Sequence, residues 1–117
     1  MRGFVALAPL DMRGSFDALA GAVRRLGLDP VDGHFYLFLN KRRRIAKALW
    51  FDGSGWCVLA KRLERGRFAK LSSDCGRTVQ LTSTELALFI EGCDLVGRRV
   101  LSPGIVKPKV LALDRTE

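Results

Sequence analysis

The chain is poor in the residues on which most small-protein chemistry depends. It has one histidine, His34. Its three cysteines, Cys57, Cys75 and Cys93, form no CxxC pair, and no CxxxH spacing occurs. A zinc site of ordinary ligand spacing is therefore not expected, and an odd cysteine count fits reduced thiols in the cytoplasm better than a disulfide framework. No apolar run approaches the roughly 20 residues of a membrane helix. The opening "MRGFVALAPLDMRG" has one short apolar stretch, too short to read as a signal peptide, and that apolar part is expected to be a first strand. No GxxxxGK[ST] loop is present, and the glycines lack a strand-GxGxxG-helix context, so nucleotide binding gains no support.

Acidic residues are also scarce: 12 against 20 lysines and arginines, a net charge of +8. Such an excess makes a polyanion the first partner to consider, because phosphates attract Lys and Arg through counterion release. With 117 residues, 48% of them hydrophobic, the chain can bury a core without staples. The expected organisation is one domain over residues 1–97, followed by an irregular or mobile tail over 98–117.

The hydrophobic pattern alternates between two periods. "GFVALAPL" is a short strand closed by Pro9. Phe16, Leu19, Ala20, Val23 and Leu26 recur at helical spacing, with Gly14 or Ser15 at the start and Gly27 at the end. "FYLFLN", "IAKALWFD" and "WCVLAKRL" read as three strands joined by "KRRR" and "DGSG" turns. "RFAKLSS" and "RTVQLT" are shorter strand candidates. Thr82 and Glu85 form a capping-box pattern before a second helix, whose apolar stripe is Leu86, Phe89, Ile90 and Cys93. The tail holds Pro103, Gly104 and Pro108, with room for one short strand. This order predicts an α+β fold: a curved, largely antiparallel β-meander of four to six strands with two helices packed on it.

Catalysis has little to work with. His34 sits in a turn with no local partner, and Asp11, Asp17, Asp29, Asp32 and Asp52 lie where carboxylates cap backbone N–H groups. A metal nuclease needs several acids converging on a cation. No enzymatic activity, catalytic residue, metal or cofactor is expected. The basic residues are organised differently. Lys41, Arg42, Arg43, Arg44 and Lys47 flank one hairpin connection, and Lys61, Arg62, Arg65, Arg67 and Lys70 lie at and beyond the end of the third strand. In a meander these two places share one end of the sheet, so the clusters should merge into a phosphate-gripping patch with little base readout. Tyr36 and Phe68 lie close by in sequence. Glu64 stands within the second cluster and could pair with Arg62, Arg65 or Arg67. The plainer alternative is a solvated sheet end that charge protects from aggregation. Trp50 and Trp56 flank the "FDGSG" turn, where aromatics pack across strands; a protein contact surface is the other reading.

The stretches "DMRGSFDALA", "DPVDGHFYLFLNKRRR", "KALWFDGSGWCVLAKRLERGRF" and "LTSTELALFIEG" resemble, in order and spacing, the TnpB-type accessory proteins of the IS66 (insertion-sequence-sixty-six) family of bacterial transposable elements. The resemblance runs from about Val5 to Leu95. This family is unrelated to the RNA-guided nuclease that shares the TnpB name. The resemblance implies a small non-enzymatic protein that assists transposition, with a separate transposase carrying the catalytic acids. The implied partners are element-end DNA and the transposase. A protein-interaction adaptor without DNA contact is the alternative. The family commonly reads "DMRKGFDGLA", so Gly14 stands where Lys is usual and Ser15 where Gly is usual. Arg44 occupies a place that is usually Asp.

Overall fold

A computed structural model describes residues 2–73 and 76–92. The expected tail over 98–117 and the Cys93 position lie outside the described residues. The described part is α+β, with element order β1 (Gly3–Ala6), α1 (Phe16–Arg25), β2 (Phe35–Leu39), β3 (Ile45–Phe51), β4 (Trp56–Arg62), β5 (Thr78–Leu81) and α2 (Ser83–Ile90). The five strands form one open sheet in the order β4-β3-β2-β1-β5. The meander β2-β3-β4 is antiparallel, as the hairpin turns require. β1, however, pairs with β2 in parallel and with β5 antiparallel, so the sheet is mixed. The physical reason is the connection: a helix between two adjacent strands carries the chain back to its starting end, and the next strand then runs the same way.

Side chains alternate across the sheet and feed two cores. Val5, Leu37, Leu39, Ala46, Ala48, Val79 and Leu81 form one apolar face, covered by Leu86 and Phe89 of α2. Tyr36, Phe38 and Leu49 form the opposite face, covered by Leu19, Ala20 and Val23 of α1. Each helix therefore covers a different face. β2 is buried on both faces, which explains its unbroken apolar run. Phe16 departs from its expected place on the inner stripe of α1 and is exposed.

The helix ends follow their signals. Gly27 has φ +82°, and its N–H donates to the Arg24 carbonyl while that of Leu28 reaches Val23, the paired bonds that close a helix on a left-handed glycine. Thr82 and Glu85 form the reciprocal capping box. "RFAKLSS" is not a strand. Phe68 and Ala69 are both buried, which a half-buried strand with alternating faces does not allow. Phe68 instead plugs the α2-side core, its ring stacked on Phe89 at a centroid distance of 5.7 Å.

Candidate nucleic-acid interface

The basic residues meet at one end of the sheet. Ile45, which opens β3, stands opposite Arg62, which closes β4. Beyond that pair the Leu63 N–H donates to the Arg44 carbonyl at 2.9 Å, and the Phe68 N–H to the Arg43 carbonyl at 2.7 Å. The segment 63–68 is thereby folded against the β2–β3 turn, and the two clusters become neighbours. Arg43 is the hinge of this contact. It is the one non-glycine residue with positive φ among those described, at +56°, a conformation that costs an L-residue about 1–2 kcal/mol. Reciprocal bonds hold it there: its Nε donates to the Phe68 carbonyl at 3.0 Å, and its N–H donates to the Asn40 carbonyl. Arg44 Nη2 reaches the Glu64 carbonyl at 3.4 Å.

The cations differ in what they are free to do. Lys41, Arg42, Arg44, Arg62, Arg65, Arg67 and Lys70 are exposed. Lys47 is half-buried, and its Nζ donates to the carbonyls of Met12 at 2.7 Å and Gly14 at 2.8 Å, tying the β1–α1 loop to β3. Lys61 is also half-buried; its Nζ donates to the Ile90 carbonyl at 2.9 Å and lies 3.9 Å from Glu91. It therefore neutralises the carboxyl end of α2, where the helix dipole favours a cation. Neither task was legible in sequence, because the partners lie about thirty residues away. No ion pair among the described residues joins Glu64 to Arg62, Arg65 or Arg67; its backbone, rather than its carboxylate, organises the cluster. Phe68 and Tyr36 are buried and present no stacking surface.

His34 and four of the aspartates, Asp11, Asp29, Asp32 and Asp52, have structural partners, and Asp17 stands in the first turn of α1. His34 Nδ1 accepts from the Arg2 N–H at 3.2 Å, and its ring meets Phe4 edge-on. Asp29, Asp32 and Asp52 each accept backbone N–H groups two residues on, with Gly55 a further donor to Asp52. Those bonds hold the Asp52 carboxyl below its usual range. The Asp11 carboxyl is brought down to about 2, chiefly by the side-chain hydrogen bonds from Arg13. Burial, together with the Asp32 carboxylate that accepts its proton, pushes the Tyr36 hydroxyl well above its ordinary value. Among the described residues no group of three or more His, Cys, Asp or Glu could hold a metal ion. Nor is any described helix long and apolar enough to cross a membrane. Trp50 and Trp56 take opposite faces of the β3–β4 hairpin and are half-buried; Trp50 packs on Phe35 at 4.6 Å and Trp56 on Phe51 at 5.2 Å.

Comparison with known proteins adds a lineage to this geometry. No solved structure matches the chain. Two proteins of Sinorhizobium fredii (strain NBRC 101917 / NGR234), both described as uncharacterized, are similar along most of their length. One, y4hO, is 35% identical over 95 residues, spanning 80% of this chain and 82% of the relative. The other, y4jC, is 30% identical over 95 residues, spanning 80% of each. The family model described as IS66 Orf2 like protein, TnpB_IS66, matches residues 1–99. A match across every described element means that the chain belongs to the IS66 Orf2-like family, which ties it to the IS66 transposition system.

Proposed function

We propose that the protein is a non-enzymatic accessory factor for IS66 transposition that grips the DNA backbone through the basic end of its sheet. The observation that carries this reading is the convergence of two clusters about twenty residues apart at one end of the sheet. That end holds Lys41, Arg42, Arg44, Arg62, Arg65 and Arg67, all exposed, with Glu64 the acid among them. Arg43, Lys47 and Lys61 support it from behind, their side chains bonded to backbone carbonyls. Such a surface takes phosphate by charge and makes few base contacts. The partner DNA would be the element ends, met in the cytoplasm together with the transposase.

A salt titration of duplex binding tests this. Each phosphate neutralised contributes about −0.9 to the slope of log K against log salt concentration. Replacing Arg42, Arg62 and Arg65 with Gln should flatten the slope by about 2–3 and weaken all duplexes alike. Undetectable binding at low salt, or an unchanged slope in the triple variant, refutes direct DNA contact. The second reading is an adaptor that docks on the transposase without touching DNA. The exposed Leu59 on edge strand β4 and the half-buried indoles of Trp50 and Trp56 support it. Retention of transposase in a pull-down by the triple variant, with no DNA affinity in the native protein, would favour it.

A further inference from the structure

Behind the basic surface the sheet end opens into a cleft of about 240 Å³. It lies where the parallel strands β1 and β2 both finish, and Ala8, Pro9, Asn40, Lys41, Arg43 and Lys70 are among its walls. Three of the lining side chains are cationic and none is acidic.

Asn40 gives the cleft a directed donor. Its Oδ1 accepts from the backbone N–H groups of Arg44 at 2.9 Å and Ile45 at 3.1 Å. Those two bonds fix which amide atom is oxygen, and they leave Nδ2 without a protein acceptor among the described residues. Arg43 is anchored through Nε on the Phe68 carbonyl, which leaves its two terminal nitrogens as donors. Lys41 and Lys70 are exposed, with no ion pair among the described residues.

We propose that this cleft is a discrete phosphate seat, with Asn40 and Arg43 supplying fixed donors and Lys41 and Lys70 supplying charge. A pre-set amide and an anchored guanidinium suit a tetrahedral anion with several acceptor oxygens. The source of the phosphate is assigned on the DNA-backbone reading above, as one group of the polynucleotide. A free phosphate ester carries the same chemistry, and the experiment separates the two.

The test is a titration of the full ¹⁵N-labelled chain with inorganic phosphate at constant ionic strength, followed by duplex binding. Phosphate should shift the Asn40 side-chain amide saturably, together with the backbone amides of residues 40–44. Asn40→Asp keeps an oxygen to accept from Arg44 and Ile45 but replaces the donor with negative charge. It should abolish the saturable response and weaken duplex binding about tenfold at fixed salt, the loss of one charge-assisted bond. Lys70→Gln, at an exposed position, should weaken phosphate about threefold and decides the matter if Asn40→Asp does not fold. Shifts spread over all basic residues without saturation, or a saturable response unaltered by either variant, would overturn the seat. Duplex binding retained with a silent cleft rejects the seat alone. Saturable phosphate binding without any duplex affinity keeps the seat, assigns it to a free ester and rejects the DNA reading.

Discussion

Replacing Phe68 with alanine should destabilise the whole domain and loosen the surface that carries Arg65 and Arg67. The Phe68 ring is fully buried, belongs to the α2-side core and stacks on Phe89. Its transfer from water is worth about 1.5–3 kcal/mol, and the aromatic pair about 0.5–1.5 kcal/mol more. The cavity left behind brings a buried Phe→Ala change to about 3–5 kcal/mol. Total stability of a domain is about 5–15 kcal/mol, so the variant should stay folded in buffer but melt early. With a urea slope near 2 kcal/mol/M, the midpoint should fall by about 2 M without a change in slope. The hydrogen bonds that Arg43 makes with the backbone of residue 68, one through its carbonyl and one through Nε, survive the substitution, yet the ring that presses the segment onto the core is gone. On the proposed DNA-backbone reading, the salt slope of duplex binding should therefore shrink along with stability. A loss below about 1 kcal/mol would overturn this account, since it would mean that the Phe68 ring does not fill the core and that hydrogen bonds alone hold residues 63–68 against the β2–β3 turn.

Three further outcomes discriminate structural from ligand-binding roles. Lys61→Met, which keeps the aliphatic stem but removes the cap on α2, should cost about 1–2 kcal/mol in thermal or chemical denaturation, whereas Arg62→Gln should leave stability within about 0.5 kcal/mol and alter only the salt slope. A Cβ at Gly14 would overlap the Ala18 methyl, so Gly14→Ala should destabilise by about 1–3 kcal/mol, and Ala18→Gly should rescue part of that loss in a double-mutant cycle. Asp11 should titrate near pH 2 by carboxylate NMR; because its folded value lies below the ordinary 3.8, the stability it lends is full above that value and is lost as pH falls through 2, and Arg13→Gln should return the titration to the ordinary range.

Much of this was readable in advance because local chemistry sufficed. Thr82 and Glu85 are three residues apart, Gly27 takes a backbone conformation that favours glycine, and Asp52 with Gly53 and Gly55 closes the β3–β4 hairpin through contacts within four residues. Apolar runs of five to seven residues became β2, β3 and β4 for the same reason. Phe16 shows the limit of periodicity: it falls at helical spacing with Leu19 and Val23, but it sits in the first turn of α1, and no element covers it there.

The excess of positive charge is a matter of composition alone, and the α+β class, the two helices and the hairpins were legible in the chain because each depends on neighbours a few residues apart. The parallel pairing of β1 with β2, the use of Phe68 as a core plug in place of a strand residue, and the division of labour among the cations arise from contacts between distant segments. Lys47 meets carbonyls 33 and 35 residues away and Lys61 one 29 residues away, contacts that no local pattern encodes. Side chains that looked equivalent in the two basic runs are thereby separated into those that hold the sheet end together and those left facing solvent.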